Sequence, residues 1–141
     1  MAEPFRTTRR VEFVDTDMAR IVHFSNFFRF MESAEVDFLY ALGLSVSMQT
    51  EEGKWIGFPR VSASCDYFKP AKFLDVVEIT VRVETLGAKS VTYQFEFFKG
   101  SELLARGRIT AVCCRTLPDN RLESMEIPPN IRQKLQGTMS P

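Results

Sequence analysis

The sequence predicts an α+β fold in which one long helix lies against one curved antiparallel sheet. A single amphipathic run at residues 25–42 has the apolar gaps of three and four that are typical of a helix. After it, apolar and polar residues alternate through most of the chain, as in strands with one covered face. A sheet that wraps one helix leaves its other face uncovered. We therefore expect a homo-oligomer that covers this face or extends the sheet at an edge strand.

The first predicted element is a strand at residues 7–14, where apolar and charged residues alternate. Its predicted end is the acidic turn of Asp15, Thr16 and Asp17, because Asp is disfavoured in strands and common in turns. The long helix follows at Ser25–Leu42, with Ser25 or Asn26 as the N-cap and Gly43 as the stop.

The rest of the chain is predicted to form antiparallel strands and one short helix. We expect a loop at residues 45–58, an extended segment at 59–68 and a turn at 69–72. Strands are predicted at 73–84, 90–98 and 102–116, with a hairpin turn at Lys99-Gly100-Ser101 between the last two. A short helix starting at a proline is predicted for Pro128–Gln136.

Composition excludes several classes of protein. The chain has 141 residues, enough for one self-sufficient domain covering 1–141. Its 18 basic and 18 acidic residues balance, which gives no broad electrostatic footprint for nucleic acid or an anionic membrane. One His and three Cys, without a Cys-x-x-Cys spacing, provide no zinc site, and we expect no metal and no cofactor. An odd number of cysteines and the lack of a signal peptide or membrane span indicate a cytoplasmic protein with reduced thiols.

The join between the acidic turn and the long helix is the best candidate for a chemical site. No Gly-rich phosphate loop and no Gly-x-Ser-x-Gly elbow are present. The first turn of a helix has unpaired N–H groups, and one from Phe24 or its neighbours can stabilise an oxyanion. The Asp17 carboxylate, facing the same carbonyl, can attack it directly or activate water. A single carboxylate suits a reactive acyl bond such as a thioester.

These residues resemble a known family. Residues 11–17 (VEFVDTD), followed by Ile21-Val22 and by residues 26–32 (NFFRFME), are similar to the opening of the 4-hydroxybenzoyl-CoA thioesterase family. Residues 67–75 and Lys89-Ser90-Val91 are similar to further patterns of that family. The resemblance implies the hotdog fold, a long helix wrapped by a curved antiparallel sheet, and assembly into dimers or tetramers. It also implies hydrolysis of an acyl-CoA thioester.

Carried over by position, the family's catalytic carboxylate falls on Asp17 and its polarising amide on Phe24. Lys89 and Ser90 fall where family members approach coenzyme A. The chain departs from the pattern at two places: Arg20 stands where many relatives have Gly, and His23 is displaced by one position relative to their histidine. We keep His23 as a catalytic candidate.

Other polar residues have more than one interpretation. Asn26 is a candidate for substrate binding, although a pure helix-cap role is slightly favoured. Lys69 can hold phosphates of coenzyme A or be an ordinary surface charge. Asp15 is expected to be structural, Glu32 and Glu35 to be solvated or between subunits, and the three cysteines to fill the core.

Two other functions stay open. The protein could hold an acyl group or its carrier without cleaving it, or hydrate an enoyl thioester, which would normally need a His paired with Asp. The sequence leaves open whether the acyl group is aromatic or aliphatic, whether its carrier is coenzyme A or a protein, and whether the assembly is a dimer or a tetramer.

Overall fold

The structure, a computed structural model, describes residues 3–139. It has nine strands and two helices in that range, and a single 3₁₀ turn at Phe13–Asp15. In chain order they are β1 Phe5–Arg10, α1 Asn26–Ala41, β2 Ser47–Gln49, β3 Trp55–Gly57, β4 Arg60–Tyr67, β5 Val76–Leu86, β6 Ser90–Lys99, β7 Glu102–Val112, β8 Cys114–Thr116, β9 Leu122–Ser124 and α2 Pro129–Gln136.

Two antiparallel sheets organise the chain, which has an α+β fold. The five-stranded sheet has the order β1-β5-β6-β7-β4, so that β1 and β4 form its edges. Bulges or register shifts interrupt the pairing within β4, β5 and the β6–β7 pair. The four-stranded sheet has the order β2-β3-β8-β9.

Helix α1 has 16 residues and packs its apolar stripe into the main core. The buried apolar residues of this stripe are Phe27, Phe30, Met31, Ala34, Phe38 and Leu39. Burying a large apolar side chain contributes roughly 1.5–3 kcal/mol, so this stripe fixes the helix on the sheet. Gly107 on β7 allows the close approach, because a Cβ there would collide with the Met31 side chain.

Much of the predicted element order is confirmed. The predicted helix at Ser25–Leu42 is observed at Asn26–Ala41, and Gly43 after it has a φ of 74°. The strands predicted at 59–68 and 90–98 correspond to β4 and β6, and Gly100 forms the turn after β6. The short helix α2 follows its N-cap Pro128 and adds Ile131 and Leu135 to the core.

The strand predicted at residues 7–14 was wrong beyond Arg10. The carboxylate of Asp15 accepts the Glu12 N–H at 2.8 Å and closes a 3₁₀ turn over Phe13–Asp15. Val11 remains buried, but Phe13 is 79% exposed. The local acceptor in the acidic turn therefore overrode the alternating pattern.

The second sheet was not predicted. Residues 45–58 contain β2 and β3 instead of the predicted loop. The strand predicted at 102–116 divides at Cys113, whose N–H donates to the Lys89 carbonyl at 2.7 Å. Beyond that point β8 pairs with β3 and β9. Three-residue strands carry too little alternation to be recognised.

Cys113 and Cys114 are buried, Cys65 is half-buried, and all three are unpaired. Within residues 3–139 no helix is long and apolar enough to cross a bilayer. The same residues contain no group of three His, Cys, Asp or Glu side chains suited to a metal ion.

Glu35 is completely buried, contrary to the expectation of a solvated or intersubunit position. Its Oε1 accepts hydrogen bonds from Arg60 Nε and Nη2, at 3.2 and 3.0 Å, which link α1 to the edge strand β4. Among the residues that the structure describes, its other oxygen, Oε2, has no hydrogen-bond partner. Burial raises the pKa of Glu35 above its ordinary value, although the charge and hydrogen bonds of Arg60 lower it.

This raised pKa predicts how stability depends on pH. The folded state holds the Glu35 proton more tightly than the unfolded state, so the contribution of Glu35 to stability is fully present below its ordinary pKa of 4.5 and is lost as pH rises above it. In Glu35→Gln, the free energy of unfolding should fall less between pH 5 and pH 8 than in the parent. Urea titrations at the two pH values measure this. Glu84→Gln, which changes an exposed partner of Arg108, is the control and should follow the parent. A variant at Glu35 with the parent's pH dependence would contradict the assignment.

Candidate active site

A tight turn positions Asp17. The Arg20 N–H donates to the Asp17 carbonyl at 2.9 Å, and the Ala19 N–H donates to Asp17 Oδ1 at 2.8 Å. Arg20 has a φ of 66°, the left-handed conformation that glycine adopts most easily. Arg20 thus has a backbone conformation that suits glycine at the position where it departs from the family pattern. In residues 3–139 no donor contacts the second oxygen of Asp17, which leaves it available to a ligand.

The Asp15 carbonyl joins this turn to the helix. It accepts the His23 N–H at 2.9 Å and the Asn26 Nδ2 at 2.8 Å. The side chain of Asn26 is thus engaged with the backbone and does not cap the helix, so the interpretation as a helix cap was wrong. The segment around Ala71 is joined to the turn and the helix start as well, because the Val22 N–H donates to the Ala71 carbonyl at 2.8 Å.

The start of α1 leaves one amide open. Ser25 is the N-cap, but its side chain makes no capping hydrogen bond, and its Oγ lies 2.7 Å from His23 Nδ1. The N–H groups of Asn26 and Phe27 donate to the carbonyls of His23 and Phe24. The Phe24 N–H has no acceptor in the described part of the chain. An unpaired amide at a helix start is the group that an oxyanion would use.

A cavity of about 390 Å³ lies where these segments meet the sheet. Its lining is mostly apolar and aromatic, with one carboxylate and one ammonium group. The lining residues are Asp17, Ile21, Val22, Phe24, Phe27, Tyr67, Phe68, Lys69 and Pro70. The cavity thus contains the available carboxylate and the residue with the open amide, surrounded by apolar walls that suit an acyl group.

A second, larger cavity of about 560 Å³ is formed by the β2–β3 hairpin, β8 and the start of α2. It is lined by neither Asp17 nor Phe24, and its Arg115 and Lys54 pair with Glu123 and Glu52. The smaller cavity is therefore the candidate for the active site.

Of the predicted site residues, the structure brings Asp17, Phe24 and Lys69 to this cavity. Lys69 Nζ pairs with Glu102 at 2.8 Å, so its charge is already partly neutralised. His23 and Asn26 do not line this cavity. The His23 ring packs on that of Phe24, with 4.6 Å between ring centroids.

Lys89 and Ser90 are not brought to the cavity of their own chain. Phe97, on β6, contacts the cavity residue Phe27 with ring centroids 5.2 Å apart. Ser90 starts the same strand, and seven residues of extended chain place it about 23 Å from Phe97. The predicted contact of Lys89 and Ser90 with coenzyme A therefore does not follow from the single chain.

Sequence reasoning missed most of the apolar wall and one polar contact. Tyr67 Oη donates to the Phe24 carbonyl at 2.9 Å, across 43 positions of sequence. Tyr67, Phe68 and Pro70 were noted only as part of a family pattern. Their position three to six residues before the turn at Phe73-Leu74 gives no indication of the contact with the helix start.

Comparison with known proteins places the chain among thioesterases. A family model described as the thioesterase-like superfamily matches residues 11–135. The chain is similar to a protein of Aquifex aeolicus proposed to be an esterase, with 35% identity over 103 residues, or 73% of this chain and 79% of that protein. It is also similar to the 4-hydroxybenzoyl-CoA thioesterase of Pseudomonas sp. strain CBS-3, with 32% identity over 64% of each chain. Among solved structures, a 1,4-dihydroxy-2-naphthoyl-CoA thioesterase from Synechocystis is similar, with a TM-score of 0.82, 25% identity, and coverage of 99% of this chain and 100% of that one.

The Asn26 side chain offers a test of the join between turn and helix. Asn26→Ala removes the Nδ2 donor from the Asp15 carbonyl and should lower the free energy of unfolding by about 1 kcal/mol. It should also speed hydrogen exchange at the His23 N–H, which shares that carbonyl. Chemical denaturation and amide exchange measure these effects. Asn130→Ala is the control, since it makes the same change at an exposed residue in the first turn of α2. It should lower the free energy of unfolding by less than about 0.5 kcal/mol. Equal effects of the two substitutions would contradict the role given to Asn26.

Proposed function

Because the chain belongs to the thioesterase-like superfamily, we propose that it hydrolyses acyl-CoA thioesters to a free acid and coenzyme A. The family resemblance drawn from the motifs at residues 11–17 and 26–32, to the hotdog-fold 4-hydroxybenzoyl-CoA thioesterases, is confirmed. The observation that carries the proposed reaction is the pairing of an available carboxylate, Asp17, with an open amide, Phe24, in one apolar cavity.

In the proposed reaction, the thioester carbonyl lies between these two groups. The Phe24 N–H donates to the carbonyl oxygen and stabilises the negative charge that develops there. The free oxygen of Asp17 either attacks the carbonyl carbon or removes a proton from the attacking water. Coenzyme A then leaves as a thiolate, a good enough leaving group for catalysis by one carboxylate. If Asp17 attacked the carbonyl, the acyl group is left on Asp17 as an anhydride, which water hydrolyses to the free acid and the carboxylate. If Asp17 acted as the base, the attacking water gives the free acid directly, and the proton taken by Asp17 passes to the thiolate. No cofactor takes part, since coenzyme A arrives as a portion of the substrate.

We propose an aromatic acyl group as the preferred substrate. Phe24, Phe27, Tyr67 and Phe68 supply four aromatic side chains to the cavity, and offset or edge-on ring contacts favour an aromatic ligand. The relatives from Pseudomonas and Synechocystis are named for aromatic acyl-CoA substrates. These two observations concern the acyl group and do not depend on the roles proposed for the Asp17 carboxylate and the Phe24 amide.

The two alternative functions have less support from the site. A hydratase would need a His paired with a carboxylate, whereas His23 Nδ1 is bonded to Ser25 and the ring does not line the cavity. His23 accordingly has a supporting position in the proposed reaction, through its packing on Phe24. A protein that only binds the acyl group would occupy the same cavity, and turnover distinguishes it.

We further propose that the protein is a homo-oligomer joined through β4. This strand is an edge of the main sheet, and all its residues except Cys65 are exposed. An edge with unpaired backbone groups and exposed apolar residues is a site for pairing with a second chain. Such an assembly is also the way for Lys89 and Ser90 to reach a substrate, in the cavity of a neighbouring chain. A cytoplasmic location stays a prediction.

Asp17→Asn tests the reaction directly. The amide oxygen of Asn can still accept the Ala19 N–H, so the turn should remain, while turnover should fall at least about 100-fold. Release of free thiol from acetyl-, hexanoyl-, palmitoyl-, 4-hydroxybenzoyl- and 1,4-dihydroxy-2-naphthoyl-CoA measures it. Asp119→Asn is a matched control, because Asp119 Oδ1 also accepts an N–H two residues later, from Arg121.

Parent-like turnover in Asp17→Asn would exclude this carboxylate from the chemistry. Tight binding of these thioesters by the parent, without thiol release over hours, would favour the binding function instead. Faster hydration of crotonyl-CoA than release of its thiol would favour the hydratase.

The proposed interface is tested by a charge on the edge strand. Val61 on β4 is 63% exposed, and Val61→Glu should shift the assembly towards monomers, because a buried unpaired carboxylate opposes association. Val76→Glu is the control at a similar exposure of 57%, on the internal strand β5. Sedimentation velocity measures the mass of each variant. A parent that is monomeric, or a Val61→Glu variant with the parent's mass, would contradict the interface.

A further inference from the structure

The hydroxyl of Tyr67 connects the end of β4 to the start of α1. Tyr67 Oη donates to the Phe24 carbonyl at 2.9 Å, and the Phe27 N–H donates to the same carbonyl at 3.3 Å. A carbonyl oxygen has two lone pairs, so the two donors use its full capacity. Residue 24 lies just outside the regular helix, where backbone conformation is otherwise weakly fixed.

This contact acts on the residue that carries the open amide. The Phe24 side chain is 62% exposed, so side-chain burial does little to hold the residue in place. Its backbone is held from one side by the helix turn and from the other by Tyr67. Without the Tyr67 hydroxyl, this backbone would keep only the helix-turn donors, the Phe27 N–H on the Phe24 carbonyl and the Asn26 N–H on the His23 carbonyl. The direction of the Phe24 N–H would then be less firmly fixed.

The hydroxyl cannot itself stabilise an oxyanion in this arrangement. A tyrosine hydroxyl has one proton to donate, and that proton is directed to the Phe24 carbonyl. The lone pairs that remain on the hydroxyl oxygen can only accept hydrogen bonds and would repel a negatively charged oxygen. Any effect of the hydroxyl on turnover must therefore pass through Phe24.

We propose that Tyr67 is a positioning residue, whose hydroxyl holds the Phe24 carbonyl so that the Phe24 N–H stays directed into the cavity. The proposal rests on the proposed function, since it assigns the oxyanion to that N–H. Partial burial raises the pKa of Tyr67 to about 12, with the neighbouring Cys65 adding to the shift, so the donor keeps its proton at every pH used for assay.

The aromatic ring of Tyr67 has a separate role that the test must preserve. The ring packs edge-on against those of Phe27 and Phe24, with centroids 5.3 and 6.4 Å apart. Tyr67→Phe keeps the ring and removes only the hydroxyl. The wall of the cavity, and with it substrate binding, should therefore be retained.

Steady-state kinetics of Tyr67→Phe provide the first measurement, with the panel thioester that the parent hydrolyses fastest. We expect kcat to fall about tenfold, the upper range of what one hydrogen bond contributes, and KM to stay within about twofold. Tyr40→Phe is the control, because Tyr40 on α1 is 82% exposed and remote from the cavity, and it should match the parent. An unchanged kcat in Tyr67→Phe would overturn the proposal, as would a raised KM with normal kcat, which would indicate contact with the substrate instead.

Raman spectra of the bound thioester provide a second, spectroscopic measurement. In the Asp17→Asn background the same thioester should bind uncleaved, and an amide that polarises its carbonyl should shift the C=O band to lower frequency. Adding Tyr67→Phe should remove part of that shift, whereas a merely structural tyrosine would leave it unchanged. If the parent has no thioesterase activity, or Asp17→Asn keeps it, the proposed function fails. If both of those tests succeed and Tyr67→Phe changes neither kcat nor the band, only the role of Tyr67 fails.

Discussion

The hydrogen bonds of Asp15 are the constraint on which the site depends. Its carboxylate accepts the Glu12 N–H and closes the 3₁₀ turn, and its carbonyl accepts the N–H of His23 and the side chain of Asn26. Each bond contributes only about 1 kcal/mol, but together they fix the acidic turn against the start of the helix. Asp17, two residues later, thereby lines the same cavity as Phe24. Preorganisation of this kind lets a carboxylate and an amide act on one carbonyl without reorganising.

Helix α1 serves both the core, which needs a tightly packed helix, and the candidate site, which needs open polar groups at the helix start. The apolar stripe of α1 is buried against the sheet, and Gly107 lets the helix lie close to β7. Within residues 3–139, the amino end of the helix has no side-chain cap and no acceptor for the Phe24 N–H, and it follows a turn in which Arg20 has a left-handed conformation. Local departures from the most stable choice of residue are what a functional site is expected to show. The buried apolar stripe of the helix stabilises the fold and offsets the stability lost at these positions.

Sequence reasoning succeeded where the signal is local. The helix was placed within one residue at each end because its apolar period extends over 16 residues. Strands β5 and β6 were predicted because apolar and polar residues alternate along most of their length. Asp17 and Phe24 were predicted because they flank a recognisable turn and helix start, and both line one cavity. The single-helix description omitted the packing of α2 into the same core, although the helix itself was predicted.

What could not be predicted depends on contacts between distant residues. Glu35 looks like a surface residue in the sequence, and only the approach of Arg60 from β4 makes its burial possible. Asn is a common residue at helix N-caps, yet the side chain of Asn26 donates to the carbonyl of Asp15, 11 positions earlier. Tyr67 reaches Phe24 across 43 positions. The short strands of the second sheet depend on one another for pairing, and none carries enough pattern alone.

The most direct measurement is a crystal structure of Asp17→Asn with a thioether analogue of an aromatic acyl-CoA, in which the ketone carbonyl is retained and cannot be hydrolysed. The account predicts the carbonyl oxygen at hydrogen-bond distance, about 2.9 Å, from the Phe24 nitrogen, with the side chain at position 17 facing the carbonyl carbon. An analogue bound with its carbonyl away from both groups, or in the larger cavity beside α2, would contradict it.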